Sequence, residues 1–129
     1  MAREIETKCI HLEEEENSIN HYGAISYPIY QSATYAHPGV GQSTGYDYSR
    51  LQNPTREHLE KTVASLENGI DALAFSSGMA AITLMMELFK PGDHLIVDAD
   101  LYGGSIRLFN HVSEKNGIEF SSVDCHKEN

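Results

Sequence analysis

A parallel α/β sheet entered through an extended arm is the fold this sequence predicts. Two observations carry it. From residue 72 onward, short apolar runs alternate with helical segments in the order strand, helix, strand, helix, strand. Across residues 22–53, Pro28, Pro38, Gly39, Gly41 and Gly45 interrupt the chain and no helical period survives. The expected division is an extended arm over residues 1–53 and an α/β layer over 54–129.

The elements follow in chain order. Residues 1–17 are polar and end in 13-EEEE-16, which reads either as an interaction tail or as a solvated face or helix start. The segment 22–53 holds Tyr22, Tyr27, Tyr30, Tyr35, Tyr46 and Tyr48, every tyrosine of the chain except Tyr102. Disordered chains are poor in aromatics and interfaces are rich in them, so the arm is expected to pack, and on another subunit. Asn53 and Pro54 then open a helix as cap and first residue. Leu59, Val63 and Leu66 form its apolar stripe, Glu57 and Lys61 are spaced for an ion pair, and Asn68-Gly69 ends it.

The run 72-ALAF-75 predicts a strand, and a helix from about Met79 to Phe89 is apolar nearly all round and expected to be buried. Pro91-Gly92 stops that helix before a second strand, 94-HLIV-97, and the loop 98-DADLYGG-104. A third helix covers residues 105–116 with Ile106, Phe109 and Val112 along one side; Gly117 caps it before a last strand over 118–123.

Three places carry candidate chemistry. Ser76-Ser77-Gly78 lies where a strand meets a helix, at the carboxyl edge of a parallel sheet. Free N–H groups at such a tip attract an anion; Gly78 admits it and Ser77 adds a hydroxyl. A phosphate cradle and a plain serine-capped turn both fit these residues. Tyr102 follows the next strand at the same edge, as a ring-stacking aromatic or a rim tyrosine, with Gly103 and Gly104 leaving space or making a turn. In 46-YDYSR-50, Tyr48 and Arg50 read as a side grip on a phosphate, or as a packed tyrosine beside an exposed arginine.

Composition narrows the classes. The net charge of −10, with Lys and Arg together numbering 9, disfavours nucleic acid, whose phosphates need cationic partners. No apolar run has the length of a membrane span, and residues 1–17 lack the apolar core of a signal peptide. Cys9 and Cys125 form no disulfide framework, the His and Cys residues show no ligand spacing for a metal, and a reduced cytoplasmic setting is the expectation.

The segments 28-PIYQSATY-35, 46-YDYSRLQNPTR-56, 76-SSGMAAI-82, 91-PGDHLIV-97 and 101-LYGGSIRLF-109 occur in an order and spacing that resembles one family. From about Thr7 onward the chain is similar to the N-terminal portion of the pyridoxal-phosphate enzymes of Cys/Met metabolism, the transsulfuration enzymes. The resemblance implies a partial large domain of the aspartate-aminotransferase type (fold type I), a βαβαβ unit behind an N-terminal arm. It implies pyridoxal 5′-phosphate as cofactor, an amino-acid substrate, and dimers paired into a homotetramer with the arm crossing between subunits. Ser77, Gly78 and Met79 match the turn that binds the cofactor phosphate, Tyr102 the tyrosine stacked on the pyridine ring, and Tyr48 and Arg50 the pair that reaches the phosphate in the partner's site.

The same resemblance implies what is missing. The family's Schiff-base lysine and the carboxylate facing the pyridine nitrogen lie beyond these residues, and none of Lys8, Lys61, Lys90, Lys115 and Lys127 fits the role. No catalytic residue is therefore assigned, and the 129 residues are expected to be an inactive fragment, with apolar surface near Leu84 and Met86 left bare. Within the family, 102-YGGSIRLF-109 and 37-HPGVGQSTGYDYSR-50 look most like cystathionine γ-synthase, joining an O-acylhomoserine to cysteine. The β- and γ-lyases share much of this text, and methionine γ-lyases of the best-known type carry a cysteine in place of Gly104. A non-catalytic interaction piece or remnant is the reading from another class.

Overall fold

The computed structural model describes residues 4–10, 24 and 26–126. The chain divides into two compact units, Met1–Ala74 and Phe75–Asn129.

In the first unit, α1 (Ile5–Ile10) lies against α2 (Pro54–Leu66), where the Lys8 ammonium donates to the Ser65 carbonyl at 3.5 Å. Asn53 caps α2 as expected: its backbone is extended and its side-chain oxygen accepts from the Thr55 N–H at 2.9 Å. At the far end Asn68, not Gly69, takes the left-handed conformation (φ 54°), and the Gly69 N–H returns to the Ala64 carbonyl at 2.8 Å. Glu57 and Lys61 pair at 2.7 Å. The apolar stripe behaves differently: Pro54 and Ala64 are buried, while Leu59 and Val63 remain exposed.

The arm packs on α2. A single antiparallel bridge joins Thr34 to Tyr48, flanked by bonds from the Tyr35 N–H to the Asp47 carbonyl and from the Ser49 N–H to the Ala33 carbonyl. Tyr27 stacks on His58 with centroids 3.9 Å apart, and Tyr35 tilts onto Tyr46 at 5.6 Å. The Asn53 amide nitrogen lies within bonding distance of the Tyr30 carbonyl, the Tyr35 hydroxyl and Ser49 Oγ. Tyr22 lies outside the described residues. The Tyr46 hydroxyl donates to Glu57. Burial, then the hydrogen bond to Glu57 and its charge, push this phenol well above its ordinary value. Hydrogen bonds from Lys61, then from Tyr46, hold the Glu57 carboxyl below its own.

The expected strand 72–75 is not a strand. A strand needs a ladder, and here the N–H groups of Ala72 and Ala74 bond instead to the carboxylates of Asp71 and Glu60, both at 2.8 Å.

The second unit holds one βαβ crossover. Strand β1 (His94–Asp98) runs parallel to β2 (Glu119–Val123), with His94 opposite Glu119 and Asp98 opposite Val123. Two left-handed glycines tie the strand starts: Gly92 (φ 94°) donates to the carbonyl of Gly117 (φ 75°) at 2.7 Å. Both lie where a break and a cap are expected. Between the strands, α4 (Gly103–Leu108) continues through a π-helical turn, Phe109–Ser113, and a short 3-10 turn, Glu114–Asn116. The buried line along it is Ser105, Phe109 and Ser113, whereas Ile106 and Val112 are exposed. The three buried residues are spaced four apart, which is one face of a helix just as a three-residue spacing is, and it is the four-spaced line that packs against the strands' side. Phe109 and Ile118 are buried, and Phe109 tilts onto Phe120 at 5.7 Å.

The remaining helix, α3 (Gly78–Met86), ends short of Phe89 and contains no buried residue; Leu84, Met85 and Leu88 are exposed. Its expected burial fails because the sheet among the described residues has two strands, and a helix apolar all round needs neighbours on several sides.

Ser113 is almost fully buried and its hydroxyl has no hydrogen-bond partner among the described residues. Ser113→Ala is expected to raise stability by about 1 kcal/mol in urea unfolding, because an unmet hydroxyl is removed; a loss would reveal a partner for it. A second expectation concerns pH. The raised Tyr46 value means its contribution is complete below the ordinary tyrosine value of 10.0 and is lost as pH climbs above it. The lowered Glu57 value gives a contribution present above the ordinary glutamate range and lost in acid. Thermal unfolding of Tyr46→Phe should therefore fall less steeply than wild type above pH 10; parallel curves would reject the coupling.

Candidate functional site

Ser77 builds the first half of the site. It is extended (φ −158°, ψ 156°), so the chain turns sharply into α3 behind it. Its hydroxyl oxygen accepts from the Ala80 N–H at 3.2 Å, and its carbonyl accepts from Ala81 at 3.2 Å. The hydroxyl proton stays available to donate. The N–H groups of Gly78 and Met79 make no hydrogen bond among the described residues, as the first turn of a helix requires. A side chain on Gly78 would meet nothing within 4 Å. The tip of α3 thus offers two amides and a hydroxyl to open space, at the positive end of the helix dipole.

Tyr102 builds the second half. It stands at the start of α4, where its carbonyl accepts from the Ser105 N–H at 2.8 Å and the Ile106 N–H at 3.3 Å. The residue is 73% exposed. A Cβ on Gly104 would lie 2.4 Å from Tyr102 Cε1 and 3.0 Å from Met79 Sδ. The ring, Gly104 and the second residue of α3 therefore meet at one point, with Ser105 Oγ 4.0 Å from the Met79 sulfur. The two glycines differ in use: the space beside Gly104 is filled by the tyrosine, whereas Gly103 faces nothing within 4 Å.

The loop from β1 to Tyr102 is braced at its start. The Asp98 carboxylate accepts from the Asp100 N–H at 2.9 Å, which holds it below the usual range, and the Ala99 N–H reaches the Val123 carbonyl at 2.7 Å. Desolvation, then the Asp98 charge, push the Cys125 thiol up.

The second unit thus brings together Ser77, Gly78, Met79 and Tyr102. Tyr48 and Arg50 belong to the first unit and stand as a pair there, the guanidinium carbon 5.1 Å from the centre of the Tyr48 ring. Both are exposed, and no carboxylate pairs with Arg50 among the described residues. Lys90 follows α3 and Lys115 closes the helix after α4, both beside the Gly92–Gly117 tie at the strand starts, away from the helix tips. Lys61 is held by Glu57 on α2, and Lys127 lies outside the described residues. The seat that Gly104 gives Tyr102 escaped the sequence reading; the paired glycines were its only signal.

These residues fit a phosphate ester carrying a flat ring: unmatched donors at a glycine-opened tip, with an exposed phenol alongside. A cystathionine gamma-synthase/O-acetylhomoserine (thiol)-lyase of Bacillus subtilis (strain 168) is 48% identical to this chain over 130 residues, covering 97% of the chain and 34% of that protein. A cystathionine gamma-lyase of the same organism is 54% identical over 102 residues, 79% of the chain and 27% of that protein. The crystal structure of metB from Corynebacterium glutamicum superposes with a TM-score of 0.86 at 41% identity, over 95% of this chain and 32% of that one. The cystathionine gamma synthase of Xanthomonas oryzae pv. oryzae, in complex with aminoacrylate and cysteine, gives 0.84 at 35% identity, over 96% and 32%. The chain therefore spans 27–34% of the length of the two Bacillus relatives. The family model described as Cys/Met metabolism PLP-dependent enzyme matches residues 6–129, and the chain belongs to that family.

Proposed function

We propose that these residues supply the cofactor-holding edge and the subunit-bridging arm of a transsulfuration enzyme, cystathionine γ-synthase above the lyases. One observation carries the reading: the Tyr102 ring and Met79 meet over Gly104, beside the open donors of the α3 tip. The amides of Gly78 and Met79 and the Ser77 hydroxyl bind the phosphate of pyridoxal 5′-phosphate. Tyr102 orients the flat ring by stacking. Arg50, held over Tyr48, adds a charged grip on the phosphate in the partner subunit's site, within a dimer of dimers. When bound, the cofactor supplies an electron-withdrawing ring that stabilises negative charge at the α-carbon of an amino acid. With no lysine of the second unit at the helix tips among the described residues, this chain by itself binds without turnover.

The substrates proposed are an O-acylhomoserine and cysteine, joined in the reducing interior of the cell. The text of 102–109 and the likeness to the Bacillus synthase over 97% of the chain favour that choice. A γ-lyase is the second reading, favoured by the higher identity, 54%, of the shorter match.

The experiment is a titration with pyridoxal 5′-phosphate, followed by equilibrium dialysis, with pyridoxal lacking the phosphate alongside. The phosphorylated form should bind more tightly; equal binding would remove the phosphate role of the α3 tip. Arg50→Ala should weaken it by about ten- to a hundredfold in the assembled protein, the loss of a charge-assisted contact. Tyr102→Ala should weaken both forms by about two- to tenfold, the worth of an aromatic stack. Wild-type affinity in either variant rejects the role given to that residue.

A further inference from the structure

Arg56 stands at the third position of α2, inside its first turn. A cation there opposes the helix dipole, whose N-terminal end is positive and favours acids. Three carbonyls offset that cost. Arg56 Nη1 donates to the carbonyls of Ser49 and Arg50, both at 3.5 Å, and Nη2 donates to the carbonyl of Leu51. Its Nε lies 3.5 Å from Glu60 Oε1, which also accepts the Ala74 N–H.

Those carbonyls belong to one tight turn. The N–H groups of Leu51 and Gln52 both return to the Tyr48 carbonyl, at 2.9 and 3.0 Å. The next carbonyls of such a turn are left over, like those at the end of a helix, and they converge on the guanidinium. Tyr48 starts this turn and Arg50 sits inside it. Arg50 is thus held at both ends: its carbonyl by Arg56, its guanidinium on the Tyr48 ring at 5.1 Å.

We propose that Arg56 is the positioning residue for the Tyr48–Arg50 anion grip, fixing the turn that aims Arg50 at the cofactor phosphate. The proposal rests on the phosphate role given to Arg50 above. Lysine does not replace it, because an ammonium is one point charge, whereas the planar fork reaches three carbonyls and a carboxylate at once.

The test uses the full chain with Arg56→Lys and Arg56→Gln. The second removes the cation from the first turn, so the helix survives if the lysine variant unfolds. Amide exchange at Leu51 and Gln52 is expected to rise roughly tenfold in both variants, with Glu67 at the far end of α2 unmoved. Affinity for pyridoxal 5′-phosphate should fall roughly three- to tenfold, affinity for pyridoxal should hold, and the fall should vanish in an Arg50→Ala background. Faster exchange with unchanged affinity overturns the positioning role and leaves the phosphate reading intact. So does unchanged exchange, or a fall of equal size with Arg50 already removed. Unchanged affinity on Arg50→Ala alone, or a wild-type chain that takes up no pyridoxal 5′-phosphate, overturns the phosphate reading and the positioning role with it.

Discussion

Two helix tips can meet only where side chains leave room, and Gly104 is where α3 and α4 do so. A methyl group at that position would overlap the Tyr102 ring and press on the Met79 sulfur. Without it the phenol folds back over the first turn of its own helix and lies beside the first turn of α3. Everything proposed for the second unit depends on this contact. It sets an aromatic ring beside an ordinary capped helix start whose first two amides are unmatched among the described residues. The strands behind contribute by holding the loops: the Gly92–Gly117 bond ties one end of the parallel pair, and the Ala99–Val123 bond braces the other.

In the first unit a single polar side chain plays a comparable part. Asn53 caps α2 with its oxygen and gathers Tyr30, Tyr35 and Ser49 with its nitrogen. A segment with almost no regular structure among its described residues is thereby held against a helix by specific bonds. Tyr46, Glu57 and Lys61 extend the same principle along α2. Such an arm keeps its tyrosine faces partly exposed, and Tyr27, Tyr30 and Tyr48 remain so.

Local chemistry was legible wherever a residue type has one dominant use. Asn53-Pro54 and Gly117 each mark a boundary in the structure, Pro91-Gly92 precedes β1 rather than ending α3, and the Glu57–Lys61 spacing became an ion pair. Apolar periodicity was a poorer guide. It predicts a face, but burial needs a partner: α3 reads as a core helix and stays exposed, and 72–75 reads as a strand and makes no ladder. The π turn at Phe109–Ser113 has no signature in the sequence, and the buried line runs through Ser105, Phe109 and Ser113 rather than Ile106 and Val112.

The sequence by itself determined the parallel α/β class, the capped start of α2 and the serine-capped tip at Gly78. These depend on backbone preferences and capping, which act over a few residues. Only the tertiary structure decided that Tyr102 seats on Gly104 beside Met79, that Arg56 collects the carbonyls of residues 49–51, and that the Ser113 hydroxyl is buried without a partner among the described residues. Each of these turns on where a side chain finds space or an unmatched polar atom, and that is set by packing between segments distant along the chain or by the exact path of a turn.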